Sequence, residues 1–307
     1  MILVFGSLNM DLVFRVPVLP APGQTVLTPT YARACGGKGA NQAVAAARLG
    51  ATVRMAGRVG RDEHGDILLE ALAADAIDAG AVLPGQAATG VAIVAVDSRG
   101  ENLILVASGA NLEARGEQVP DEWLDRATTV VMQLEVPYAE TFALGRRARA
   151  RGARVVLNAA PAGPVEPEGC DVLVVNEGEA SALAKLAGLR VRGATAAAKA
   201  LARAWDRLVV VTLGSKGARA FAPDRTWAVD APKIEPVDTT GAGDAFVGAL
   251  AAALDAGRDV GEALRHGAAA GACACLVEGA QPSLPRARQH TAMLDRVPPA
   301  RTSRGGG

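Results

Sequence analysis

Between a polar turn and a strongly helical run lies Asp238-Thr239-Thr240-Gly241-Ala242-Gly243-Asp244, followed by Ala245-Phe246-Val247-Gly248-Ala249-Leu250. Three small residues, two of them glycines, let backbone N–H groups crowd together, and a helix starting behind them adds partial positive charge. Such a turn is an anion cradle with a carboxylate, Asp244, at its mouth. Phosphoryl transfer to a hydroxyl needs both. Phe246, Val247, Leu250 and Leu254 recur at helical spacing, which places Asp244 in the first turn. There it could act as a base or simply complement the helix dipole, and the segment alone weighs the two equally.

Four other stretches carry candidate chemistry. In Gly6-Ser7-Leu8-Asn9-Met10-Asp11, an extended backbone puts Asn9 and Asp11 on one face, an amide beside a carboxylate that suits adjacent hydroxyls. Both are also ordinary turn formers. Cys35-Gly36-Gly37-Lys38-Gly39-Ala40-Asn41-Gln42 opens a helix, and its glycine density implies close backbone approach to a ligand. Lys38 could instead be solvated and Asn41 a helix cap. This is no Walker A loop: Ala32 stands where the first glycine belongs, and Gly39 follows Lys38 where Ser or Thr is needed. No G-x-G-x-x-G follows the first strand, which disfavours a dinucleotide-dependent dehydrogenase. Asn176-Glu177-Gly178-Glu179 has capping-box spacing but could also orient phosphates and hydrated Mg²⁺. Thr212-Leu213-Gly214-Ser215-Lys216-Gly217 is either a β-turn or a set of hydroxyls and N–H groups for phosphate.

These stretches need elements to position them. Apolar runs at Ile2–Phe5, Val53–Ala56, Thr129–Met132, Arg154–Leu157, Val172–Val175 and Leu208–Thr212 read as strands. Helical patterns intervene at Asn41–Leu49, Ile67–Asp75, Tyr138–Arg151, Glu177–Leu186 and Ala194–Trp205. That alternation predicts an α/β fold with a mainly parallel sheet, helices on both faces, and ligands beyond the carboxyl ends of the strands. Residues 12–31 and 89–106 break the rhythm. Val91–Val96 and Asn102–Val106 read as two β runs around the turn Asp97-Ser98-Arg99-Gly100, and the two segments are expected to form a small projecting antiparallel sheet, a lid. One domain is expected over 1–300, with a disordered tail over 301–307.

Composition narrows the class. Half of the 307 residues are apolar but only 3% aromatic, so the core is built from Ala, Val and Leu. Lys plus Arg equals Asp plus Glu at 32 each, which argues against nucleic acid as a partner. Cys35, Cys170, Cys273 and Cys275 form no C-x-x-C pair and read as small apolar residues in a reducing compartment. His64, His266 and His290 lack metal-ligand spacing. The N-terminus has no basic region and reads as a strand, and no run approaches the ~18 apolar residues of a membrane span. A soluble cytoplasmic protein is the expectation.

Gly36-Gly37-Lys38-Gly39-Ala40-Asn41-Gln42 and Asp238-Thr239-Thr240-Gly241-Ala242-Gly243-Asp244 closely resemble the two signatures of the ribokinase-like (PfkB-type) carbohydrate kinases, in that order and about two hundred residues apart. The resemblance runs from Gly6 to Pro285. Gly6–Asp11, Met132-Gln133-Leu134-Glu135, Ser108-Gly109-Ala110-Asn111 and Gly279-Ala280-Gln281-Pro282-Ser283 are most similar to the ribose-phosphorylating branch. The resemblance implies a three-layer α/β/α fold with a β-sheet lid, and ATP-dependent phosphorylation of D-ribose at its 5-hydroxyl. It implies Asp244 as base and an anion hole at Gly241, Ala242 and Gly243. It further implies that Asn9, Met10, Asp11, Gly37, Lys38, Gly39, Ala40, Asn41 and Glu135 surround the sugar. Asn176, Glu179, Thr212, Leu213, Gly214, Ser215, Lys216, Gly217 and Gly243 would serve ATP and Mg²⁺. Asp238, Thr240, Ala274, Val277, Gly279 and Ser283 would hold K⁺, and a homodimer would form through the lid sheets. Kinases of this fold for deoxyribose, fructose or a nucleoside, or a catalytically silent sugar-binding regulator, are the alternatives. The chain departs from the family at His266-Gly267-Ala268-Ala269-Ala270, where an Asn or His often lies near the adenine, and at Leu276-Val277-Glu278, where Thr-Arg-Lys or Thr-Arg-Arg is usual.

Overall fold

A run such as Ile2-Leu3-Val4-Phe5 or Val172-Leu173-Val174-Val175 has no polar face for water, so it is stable only between two apolar layers. In the computed structural model, which describes residues 1–99 and 101–304, both runs are central strands of a large sheet and are fully buried. The chain begins β1 (Ile2–Phe5), β2 (Asn9–Arg15), β3 (Ala32–Gly36), α1 (Lys38–Arg48), β4 (Val53–Val59), α2 (Glu63–Ala74), β5 (Asp78–Pro84), β6 (Gly90–Val96) and β7 (Asn102–Ala107). It continues α3 (Asp121–Arg126), β8 (Thr129–Gln133), α4 (Tyr138–Arg149), β9 (Arg154–Asn158), β10 (Val172–Val175), α5 (Glu177–Leu186), α6 (Ala194–Trp205) and β11 (Leu208–Thr212). A hairpin of β12 (Ala218–Phe221) and β13 (Arg225–Val229) follows, then α7 (Ala242–Asp255), α8 (Val260–Ala274), α9 (Ala287–Leu294) and β14 (Arg301–Arg304).

The large sheet has the order β14-β13-β12-β11-β10-β9-β8-β1-β4-β5. From β11 to β5 every pairing is parallel, and β12, β13 and β14 add an antiparallel edge. Strand side chains alternate, so one strand feeds two cores. Ile2 and Val4 pack with Val44 of α1, Leu250 of α7 and Leu264 of α8. Leu3 and Phe5 pack on the opposite face with Leu144 of α4, Leu183 of α5 and Leu201 of α6. The expected three-layer α/β/α architecture is the one found. From β1 the chain moves outward through β4 and β5, then returns to the other side of β1 for β8 to β11. The carboxyl ends of β1 and β8 therefore border a topological switch point, where a crevice opens.

The second sheet, of order β3-β2-β6-β7, is separate and small. Here the sequence expectation needs correction: β2–β3 and β6–β7 are antiparallel, but β2 and β6 pair in parallel. Of residues 12–31 only the first four belong to a strand, and the second strand of that region is β3, beyond them. Ala32-Arg33-Ala34-Cys35-Gly36 has neither β-branched nor aromatic residues to announce a strand, and it extends because β2 offers a ladder. Gly100 of the turn expected between β6 and β7 lies outside the described residues.

The tail also departs from expectation. Arg301–Arg304 is not disordered but pairs with β13, Arg301 opposite Ala228 and Arg304 opposite Arg225, while 305–307 lie outside the described residues. Its side chains are exposed, and main-chain bonding to an open sheet edge, joined by the Arg301 guanidinium on Asp230 at 2.7 and 2.9 Å, holds it, forces that hydropathy does not report. Burial agrees with the reading of Cys170 and Cys273 as apolar residues, while Cys35 and Cys275 are half buried. His290 is buried, within hydrogen-bond distance (3.1 Å) of the His266 carbonyl, and the two rings stack at 5.0 Å. Among the described residues no helix is long and apolar enough to cross a membrane.

Helices α1 and α7 cross at the switch point with almost no side chain between them. A Cβ added at Gly248 would stand 2.6 Å from the Ala45 Cβ and 2.7 Å from the Gln42 carbonyl. Gly248→Val must therefore push the helices apart. We expect it to destabilise the fold by about 1–3 kcal/mol, read as a lower urea midpoint at unchanged slope.

Candidate active site

The acceptor side of the crevice is built on β1, β2 and the start of α1. Gly37 caps α1 at φ 86, a left-handed conformation, with its would-be Cβ 2.7 Å from the Asn9 nitrogen. Only glycine lets α1 start this close to β2. Asn9 and Asp11 share a face of β2, as the alternation requires, and Met10 points the other way into the core. Asn9 is fixed by a residue far along the chain: its Oδ1 accepts from Asn111 Nδ2 at 2.7 Å. Asn111 in turn accepts from the Leu8 N–H at 2.9 Å and donates to the Leu8 carbonyl at 3.0 Å. Glu135, just past β8, accepts from the Ser7 hydroxyl at 2.5 Å and from the Lys38 N–H at 3.2 Å.

Charge is concentrated here. Burial, then the Glu135 and Asp244 carboxylates, push Asp11 up to about 7, with Lys38 pulling the other way. The Lys38 ammonium is raised, first by Asp244 against its own burial and then by Glu135, Glu179 and Asp11. One ammonium serves four carboxylates.

Across from this pocket, α7 begins behind Gly241, which caps it with φ 75. Its first-turn N–H groups have no carbonyl four residues back. The Ala242 N–H turns to the Thr239 carbonyl at 3.2 Å, which leaves Gly243 and Asp244 as the donors beyond it in that turn. Asp244 is buried, and both of its oxygens accept from amides on α1: Oδ2 from Asn41 Nδ2 at 2.9 Å and Oδ1 from Gln42 Nε2 at 2.9 Å. A cavity of about 230 Å³ meets Asp244, Lys38, Gly241, Gly243, Asn176 and Glu179. The start of α1 and the start of α7 thus converge on one carboxylate.

A second cavity, about 620 Å³, shares Thr212, Thr239 and Gly243 with the first and extends from there along α7 and α8. Gly214, Ser215 and Gly217 line one wall, and Ile234, Phe246, Ala268 and Gly271 make an apolar slot. That shape and polarity fit a nucleobase leading into phosphates. Leu213 is buried in the core and Lys216 is exposed outside the cavity, so this loop presents only part of the expected set. Gly39 and Ala40 are buried at the start of α1, shaping the pocket without reaching into it. Asn176 and Glu179 do form the reciprocal capping box, with both bonds at 2.8 Å. Glu179 nevertheless lines the smaller cavity, and burial raises its pKa, opposed by the Asn176 N–H and by Lys38.

Asp238 ties two loops together, accepting from the Thr240 N–H (2.9 Å) and hydroxyl (2.7 Å) and from the Gly279 N–H (2.8 Å). Burial alone would raise its pKa, but the Gly279 and Thr240 donors outweigh it and hold the carboxyl below its usual range. One ionised carboxylate beside carbonyl-rich turns is a donor set that suits a hard cation. Ser283 is buried and donates to the Ala280 carbonyl, Ala274 is buried, and Val277 is half exposed on the same turn region. Among the described residues no group of three His, Cys, Asp or Glu side chains could hold a metal, so Mg²⁺ here would rely on phosphate oxygens and water beside Glu179.

Sequence reading did not single out Gln42, Gln133, Asn158, Ser7 and Asn111 as site residues. All but Asn158 stand inside the sequence motifs, and a polar residue in an otherwise apolar strand such as β8 is the available signal.

The model of the pfkB family carbohydrate kinases matches residues 1–287. The chain is 37% identical over 297 residues to ribokinase of Haemophilus influenzae, covering 94% of this chain and 96% of that one. It is 33% identical over 301 residues to a deoxyribokinase of Salmonella typhi, covering 95% and 98%. Among solved structures, Arabidopsis thaliana ribokinase complexed with ribose and ATP superposes with a TM-score of 0.86 at 32% identity, covering 95% of this chain and 98% of that one. On this likeness in sequence, fold and both signature loops, the chain belongs to the pfkB family of carbohydrate kinases.

Proposed function

We propose that this kinase transfers the γ-phosphoryl group of ATP to the 5-hydroxyl of D-ribose, giving D-ribose 5-phosphate. The observation that carries the reading is the position of Asp244, a buried carboxylate held by two amides of α1 at a helix N-terminus, with Asp11 and Lys38 close enough to feel its charge. Asp244 takes the hydroxyl proton as the oxygen attacks in line, and the proton rests on its carboxylate. Asn9, Asp11, Lys38, Asn41 and Glu135 hold the other hydroxyls. Asn41 Oδ1 supports this, being buried with no protein donor. The N–H groups of Gly243 and Asp244, in the turn opened by Gly241 and Ala242, and the Lys38 ammonium receive the charge that spreads over the transferring oxygens, so catalysis is mostly positioning and electrostatics.

Asn176, Glu179, Thr212, Gly214, Ser215 and Gly217 serve the nucleotide and its Mg²⁺, which would neutralise phosphate charge. K⁺ would sit beside the cradle at Asp238, Thr240 and the Ala274–Ser283 turn, stiffening the loop that carries Gly241. β7 is exposed along its whole length, including Leu103, Ile104, Leu105 and Val106, which supports a homodimer closed through the lid sheets. The deoxyribokinase relative favours deoxyribose as a second acceptor.

Asp244→Asn should lower kcat by about 10²–10⁴-fold while ribose binding by calorimetry stays near that of the native protein. Unchanged turnover would remove the base. Asp11 sets a pH dependence. Its ionised carboxylate is a stronger acceptor for a sugar hydroxyl than the protonated acid, so ribose KM should fall as pH rises through about 7 and then level off. Asp11→Asn should flatten that limb. For folding the sign is opposite: between the ordinary 3.8 and about 7 the folded chain holds a proton that the unfolded chain has lost, so this group's contribution to stability declines as pH rises. ADP release across ribose, deoxyribose, fructose and nucleosides should be fastest with ribose, and faster in K⁺ than in tetramethylammonium. Equal rates in the two cations would unseat the K⁺ site, and a faster deoxyribose reaction would reassign the acceptor.

A further inference from the structure

Behind Asp244 lies a chain of buried amides that the reaction as described leaves unused. Gln133 on β8, Gln42 on α1 and Asn158 on β9 are 0%, 1% and 7% exposed. Asn158 Nδ2 donates to the Val174 carbonyl at 3.1 Å. A main-chain carbonyl can only accept, so this bond turns the Asn158 Oδ1 toward Gln42. Gln42 must then present its Nε2, which donates to Asn158 Oδ1 at 3.0 Å and, with its second hydrogen, to Asp244 Oδ1 at 2.9 Å. Both hydrogens are spent, so the Gln42 Oε1 accepts, and Gln133 Nε2 supplies the donor at 2.7 Å. The direction of every amide follows from one backbone carbonyl.

We propose that Gln42, oriented by Gln133 and Asn158, is a positioning residue that fixes the carboxylate plane of Asp244 and holds its Oδ1 as an acceptor. Asn41 Nδ2 grips the other oxygen. With each oxygen held by one amide, rotation of the carboxylate about its own axis is restrained, and the lone pairs left free on the two oxygens keep fixed directions. A Gln42 rotated end for end would put Oε1 against Asp244 Oδ1 and against Asn158 Oδ1, two repulsions at hydrogen-bond distance. The charged groups around Asp244 are Lys38 on α1, Asp11 on β2, Glu135 beyond β8 and Glu179 on α5. The relay is the uncharged contact that sets geometry among them. The inference rests on Asp244 being the base.

The test is steady-state kinetics with ATP and ribose, pH profiles of kcat, and thermal unfolding for Gln42→Met, Gln42→Glu and Gln133→Met, with Asp244→Asn alongside. Gln42→Met should lower kcat by about 10–100-fold with ribose KM changed by less than about threefold, as expected for loss of one hydrogen bond to a charged group. Gln133→Met, which acts one bond further away and covers the case in which Gln42→Met does not fold, should lower kcat by about 3–10-fold. Gln42→Glu puts two carboxylates at hydrogen-bond distance, which cannot both ionise freely, and should move the acid limb of kcat upward by about one pH unit or more. A folded Gln42→Met with native kcat and an unmoved acid limb in Gln42→Glu, while Asp244→Asn is inactive, overturns the positioning role and leaves the base standing. Turnover by Asp244→Asn overturns the base itself and the proposal with it.

Discussion

The structure around the crevice depends on satisfying a buried carboxylate. Asp244 lies against the α1–α7 crossing, where water is excluded and an unpartnered charge would cost several kcal/mol. Two neutral amides one residue apart on α1, Asn41 and Gln42, each give it a hydrogen bond, and Lys38 supplies opposite charge from the first residue of the same helix. All three reach it only because α1 and α7 approach closely. That approach follows from alanine and glycine on the facing surfaces, where a Cβ at Gly248 would already overlap α1.

The same economy of space explains why so much charge gathers at the switch point. Lys38 is attracted by Asp11, Glu135, Glu179 and Asp244, and the excess of negative charge is relieved partly by raising Asp11. Beyond the Ser7 hydroxyl on Glu135, these carboxylates have room for further hydroxyl donors. A nucleotide approaching from the other cavity meets the opposite environment, small residues and an apolar slot leading to a helix start. The two ends of the crevice therefore differ in chemistry, one rich in charge and the other largely apolar, and Asp244 sits where they meet.

Much of this was legible from residue order. Alternating apolar runs and helical patterns announced a parallel sheet covered on both faces, since Ile2–Phe5 and Val172–Val175 leave no side for solvent. The two glycine-rich loops announced helix starts that approach other backbone closely, and α1 and α7 both begin there. What escaped were elements held by partners and not by their own composition: β3 on β2, β14 on β13, and the parallel join between β2 and β6. Main-chain hydrogen bonds to a distant strand leave no periodic mark on hydropathy.

For the candidate site the division is similar. The sequence by itself determined which groups are present and which are locally adjacent: Asn9 and Asp11 on one strand face, Lys38, Asn41 and Gln42 on one helix, and Asp244 at the start of another. It left Asp244 balanced between dipole complement and base. Only the tertiary structure decided that Asn41 and Gln42 bond to a residue about two hundred positions away, that Asn111 pins Asn9, and that Gln133 and Asn158 orient Gln42. The reason is physical. A hydrogen bond in a buried network exists only once the fold has excluded water and brought strands from both halves of the sheet to one edge, and neither event is encoded in any single window of residues.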